Sequence, residues 1–121
     1  MNIIRYILAL IFFASGAAKL AGLEFEVVAF ERWGYGIEFM YFTGAVEELG
    51  AIALFIPTLV RYSVVGLSGV MIGAMGTHII HQEWPMLAIA TVIFILTVLQ
   101  VKHYWLDKKS EDASVEPEAS A

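Results

Sequence analysis

The sequence predicts an all-α integral membrane fold, a four-helix transmembrane bundle, on three observations. Of the 121 residues, 60% are hydrophobic and only 16% are charged, whereas soluble domains carry roughly 25% charged residues. Four apolar runs of about 18 residues or more, the length that crosses a bilayer, fill most of the chain and leave no room for a separate soluble domain. Between them fall short stretches of Gly, Pro and mixed aromatic and charged residues, the punctuation of turns and membrane interfaces.

The first span covers about residues 3–23. Arg5, the apolar stretch after it and Ala14-Ser15-Gly16 have the layout of a secretory signal with a small-residue cleavage site. Continued through Lys19, however, the run makes about 30 Å of helix and spans. Residues 24–36 mix acids with Phe25, Phe30, Trp33 and Tyr35, which suits the headgroup region; a short interfacial helix and a Gly34-Tyr35-Gly36 turn are expected. The second span, about 37–56, stops at Pro57, which cannot continue a helical hydrogen-bond ladder. The third, about 62–80, carries Gly66, Gly69, Gly73 and Gly76 on one face, a stripe suited to close helix packing within the chain or between two copies. Residues 81–83 turn the chain, Trp84 anchors at the interface, and Pro85 fits the first turn of the fourth span, about 85–103. The membrane domain thus covers residues 1–106. Residues 107–121 switch to Ser, Glu, Asp and Ala and are expected to form a disordered, acidic, cytoplasmic tail.

With four spans both termini share a side. Arg5, Arg61, Lys102, Lys108 and Lys109 fall on it and Arg32 on the other, so the positive-inside rule puts both termini in the cytoplasm. The absence of cysteine removes thiol relays, thiolate metal sites and disulfides from consideration. The net charge of −5, without a basic patch, gives no footprint for nucleic acid.

Charged groups near bilayer depth are costly unless paired or hydrated, which makes them candidates for function. Lys19 falls near the outer end of the first span and His78 at a similar level in the third, while Glu47 lies about 15 Å below the outer end of the second. A lysine stem bridges such an offset, so a Lys19–Glu47 ion pair is expected, with His78 as a third member of a polar site. Lys19 alone could instead snorkel to the headgroups. Glu48 is rotated by about 100° from Glu47 and looks elsewhere. Glu47 shares its face with Gly44 and with Gly50 or Ala51, small residues that suit close helix contact. His78 lies roughly opposite the glycine stripe. His78 and His81 could both be interfacial, and without an HExxH spacing no metal site is expected.

At these residues the chain resembles the DoxX-like family of small four-span bacterial membrane proteins. Phe12 to Leu20 is similar to the family's SG–KL signature, Gly44 to Leu54 to its G–E–G–L pattern with Glu47 at the acidic position, and Gly73 to His78 to a GA–TH segment. The resemblance covers about residues 1–105 and implies a multi-pass protein of the bacterial inner (cytoplasmic) membrane. It also implies association with membrane-bound oxidoreductase complexes, including the membrane subunits of thiosulfate:quinone oxidoreductases. Three functions follow as expectations. The first is a membrane subunit or accessory of a redox complex, with Lys19, Glu47 and His78 lining a polar pocket open to the outer face, where a quinone is the cofactor that would fit. The second is a small proton-coupled transporter; the third is an assembly protein whose ion pair fixes helix register. Expected partners are the lipid bilayer, a membrane or soluble oxidoreductase, and a second copy of the chain.

Overall fold

A computed structural model describes residues 2–107, so the expected tail from residue 108 onward lies outside the described residues. The fold is all-helical: α1 (Asn2–Leu20), α2 (Glu24–Trp33), α3 (Gly36–Ala53), α4 (Val60–Ile80) and α5 (Trp84–Val101), continued by a π-helical segment (Lys102–Asp107).

Each boundary has a local cause. α1 ends before residue 23 because Gly22 takes a left-handed φ of +65°, and the Leu23 N–H donates back to the Ala18 carbonyl. Such a turn satisfies carbonyls at a helix end and favours glycine. Gly34, at φ +84°, closes α2 in the same way, with the Tyr35 N–H donating to the Phe30 carbonyl. α3 stops at Ala53, three residues earlier than expected, and unwinds through tight turns in which Phe55 and Ile56 donate to the carbonyls of Ile52 and Ala53. Pro57 removes the donor that would have extended the ladder. The last helix runs beyond residue 103. Trp105 holds its end, donating through Nε1 to the Arg61 carbonyl at 2.6 Å while the Arg61 guanidinium sits 4.0 Å above the Trp105 ring.

Three segments are long and apolar enough to cross a membrane: Ile3–Leu20, Val60–Ile80 and Trp84–Leu106. α3 differs in composition, because its 18 residues include Glu38, Glu47 and Glu48. By length and composition, then, the structure supplies three of the four expected spans, and the role of α3 depends on how its acids are accommodated.

α1 packs along α3 and α4 along α5, and the two pairs meet through α3–α4 and α1–α5 contacts. Their shared core lies toward the termini. Leu8, Ala9 and Phe12 of α1 meet Ala51 and Leu54 at the end of α3, Val60, Val64, Leu67 and Met71 of α4, and Ala90 of α5. The opposite half, beneath α2, is hollow.

Among the described residues the glycine stripe of α4 is not a packing face. A Cβ placed at Gly66, Gly69, Gly73 or Gly76 would meet nothing within 4 Å. α4 turns its larger residues, Val64, Leu67 and Met71, toward the core instead, and Gly69 and Gly73 border the hollow half. The close backbone approach occurs between α1 and α3. A Cβ on Gly44 would lie 2.8 Å from the Lys19 Cβ, and one on Gly16 would lie 2.8 Å from the Gly44 carbonyl oxygen.

Candidate functional site

The hollow half holds an open cavity of about 980 Å³. Its walls come from the second half of α1, the inner face of α2, the first two-thirds of α3, the second half of α4 and the first half of α5. Most of the lining is apolar and aromatic, including Phe25, Phe30, Trp33 and Phe39. Two polar clusters interrupt it.

The first cluster joins α1, α2 and α3. Lys19 Nζ lies 2.9 Å from Glu47 Oε1 and 3.1 Å from Glu26 Oε2, and donates to Ser15 Oγ at 2.8 Å. The Ser15 hydroxyl in turn faces both Glu47 oxygens at 3.0 Å. Ser15 precedes Lys19 by one helical turn, so both side chains project from one face of α1. Gly16 and Gly44 let α1 and α3 come close enough for Lys19 to reach Glu47. Lys19, Glu26 and Glu47 are all buried. One ammonium is thus shared by two carboxylates, and opposite charges held this close inside a low-dielectric site offset much of their desolvation cost.

The second cluster closes the space between α2 and the α4–α5 turn. His78 Nδ1 lies 2.9 Å from Glu83 Oε1, Trp33 Nε1 donates to the same oxygen at 3.1 Å, and Arg32 pairs with Glu83 Oε2. The Trp33 ring stands edge-on to the His78 ring at 5.7 Å. Burial alone would push the Glu83 carboxyl up; the hydrogen bond from His78, the Arg32 charge and the Trp33 N–H more than offset it and hold the group below the usual carboxylate range. The carboxylate form therefore ties α2 down above that range, and the tie is lost as pH falls through the lowered value. Alongside, the Tyr35 hydroxyl lies 2.8 Å from Thr77 Oγ1.

The structure brings Lys19 and Glu47 together, but His78 does not join them. It lies at the far edge of the same cavity with Glu83 as partner, because the α4–α5 turn places a carboxylate beside it. Glu48 is also outside the cluster, wedged against Gly16. Its Oε1 is buried without a hydrogen-bond partner among the described residues. His81 Nδ1 donates to the Thr77 carbonyl at 2.9 Å, and His81 does not line the cavity. Among the described residues no group of three or more His, Cys, Asp or Glu side chains is arranged to hold a metal ion.

Sequence reasoning missed four participants: Ser15, Glu26, Arg32 and Glu83. Ser15 was legible through its four-residue spacing from Lys19. The other three sat in segments taken as interface and turn, where acids and bases are expected to face water. Glu26, Phe30 and Trp33 recur at intervals of four and three, a single face of α2, and that face is turned inward over the cavity.

A family model described as the DoxX-like family matches residues 3–100. The chain belongs to the DoxX-like family. No curated protein and no solved structure matches it. Family membership and the three long apolar helices make this a small membrane protein, and both polar clusters fall within the matched region.

Proposed function

We propose that this DoxX-like protein binds a lipophilic molecule of the quinone class within the bundle, as a membrane subunit or accessory of a redox complex. The observation that carries this reading is the cavity of about 980 Å³, apolar along its walls and ending on the buried Ser15–Lys19–Glu26–Glu47 cluster. Sites for small molecules are concave and mostly apolar, with a few placed polar groups that fix orientation. A ring with a hydrocarbon tail matches that division: the tail lies among aromatic and aliphatic side chains, and the oxygenated ring meets the cluster. The quinone-linked complexes of the family favour this ligand class over other amphipathic molecules.

In this reading α3 is the fourth crossing helix, α2 lies at the outer face of the bacterial inner membrane, and both termini are cytoplasmic. Glu38 is only two residues from the start of α3, at headgroup level, while Glu47 is paired with Lys19. Glu48 is sheltered between α1 and α3. No acid of α3 then faces lipid at depth unprotected.

The test is purification in mild detergent from a quinone-containing bacterial host, followed by solvent extraction and mass spectrometry. A quinone approaching one per chain, or a co-purifying oxidoreductase subunit, is the expected result. Protein that carries neither, and that fails to take up added short-chain quinone or quinol, would overturn the reading.

A further inference from the structure

Binding within the cavity depends on which hydrogen bonds its lining can still make. Around Glu26 and Glu47 each buried side-chain donor is already committed. The three Nζ hydrogens of Lys19 face three acceptors, Ser15 Oγ, Glu26 Oε2 and Glu47 Oε1. The single Ser15 hydroxyl hydrogen is given to Glu47. Thr43 donates to the Phe39 carbonyl and Thr77 to the Gly73 carbonyl. With its own hydrogen spent, Thr77 Oγ1 can only accept from Tyr35, so the Tyr35 hydrogen is committed as well. The Trp33 N–H donates to Glu83. His78 Nδ1 is committed to Glu83 Oε1 at 2.9 Å, within the second cluster and apart from Glu26 and Glu47. Arg32 retains free N–H groups, but its side chain is 57% exposed.

Acceptors, by contrast, remain in excess. Two carboxylates share one lysine, and among the described residues no donor reaches Glu26 Oε1. Glu47 Oε2 receives only a share of the Ser15 hydrogen. From this inventory we infer that the cavity selects a ligand whose head group donates hydrogen bonds. Within the quinone class that is the hydroxyl-bearing quinol, with its oxygens directed at Glu26 and Glu47, and not the oxidised quinone.

The inference rests on the quinone-class reading above and sharpens it to one redox form. A quinone presents only carbonyl oxygens, which accept. Placed against Glu26 and Glu47 they would meet lone pairs on both sides, and the desolvated polar atoms would stay unpaired. A quinol hydroxyl supplies the missing hydrogen to Glu26 Oε1. Sites built around hydrogen bonds to a ligand hydroxyl discriminate strongly against the analogue that lacks it.

The experiment compares three ligands by anaerobic calorimetric titration of the full chain in nanodiscs: a decyl-substituted benzoquinol, the matching benzoquinone, and the dimethyl ether of the quinol. The quinol is expected to bind about tenfold or more tightly than either of the others. In Glu26→Gln, whose amide adds a donor, the preference is expected to narrow, with helix content by circular dichroism confirming the fold. Quinone binding as tightly as quinol, or the ether matching the quinol, would overturn the inference while leaving the quinone-class site standing. Failure of all three ligands to bind would overturn both.

Discussion

Lys19 carries more than the ion pair that the sequence suggests. Because Glu26 and Glu47 both rest on it, the three residues respond unequally to substitution. Lys19→Met leaves two carboxylates facing each other across a buried space, and removal of one partner from such a site costs about 3–5 kcal/mol. Glu47→Gln leaves a one-to-one Lys19–Glu26 pair and an amide oxygen still able to accept from Lys19 and Ser15, a cost of about 1 kcal/mol. Thermal unfolding in detergent should therefore show a large drop in Tm for Lys19→Met and a small one for Glu47→Gln. The double variant should not recover, since Glu26 remains unpaired; full recovery would show that Glu47 is the sole partner of the lysine. The Lys19–Glu47 distance was legible from helix rise and span boundaries, because depth in a bilayer is one coordinate. Glu26 was not, since nothing local distinguishes an acid on the water side of an interfacial helix from one rolled inward.

At the scale of helices, the sequence located the small residues but could not assign their partners. A four-glycine stripe on one face of α4 looks like a contact surface, yet among the described residues it meets open space. Gly44, on the Glu47 face expected to make close helix contact, forms the tight crossing of α1 and α3 with Gly16, which no stripe marks. The distinction lies in what stands opposite, which periodicity does not encode. Gly44→Ala forces a methyl group into the Lys19 stem and the Gly16 backbone, an overpacking that costs about 1–3 kcal/mol. Gly76→Ala meets nothing and gains about 1 kcal/mol of helix propensity. In parallel melts, Gly44→Ala should fall and Gly76→Ala should hold or rise. A drop for Gly76→Ala would instead place a second copy of the chain or another protein against the stripe. Gly34 and Pro57 marked helix ends in the sequence because they act on the backbone directly, whereas Gly22, which ends α1, falls inside the run read as the first span.

The whole molecule divides into a packed half near the termini and a hollow half beneath α2, and the division has a consequence for topology. If α3 crosses the membrane, α2 and the Trp105–Arg61 clamp lie at opposite faces, and, with the cytoplasmic termini proposed above, α2 is at the outer one. If α3 stays on one side, only α1, α4 and α5 cross, and the two chain ends fall on opposite sides. The geometry favours crossing: α3 packs along α1, and its 18 residues give about 27 Å of helix, close to the hydrocarbon thickness. Because the chain has no cysteine, a single introduced thiol reports its side without background. Glu31→Cys, exposed on α2, and Thr58→Cys, exposed in the α3–α4 connection, lie at opposite ends of α3. A membrane-impermeant maleimide should label Glu31→Cys in intact spheroplasts and Thr58→Cys only after permeabilisation. Equal labelling of both before permeabilisation would put α3 on the outer surface and leave the Lys19–Glu47 pair at an interface rather than within the bilayer. The two outcomes also separate the chemistry: a carboxylate cluster at bilayer depth exchanges protons only through what enters the cavity, whereas one at the interface exchanges them with water directly.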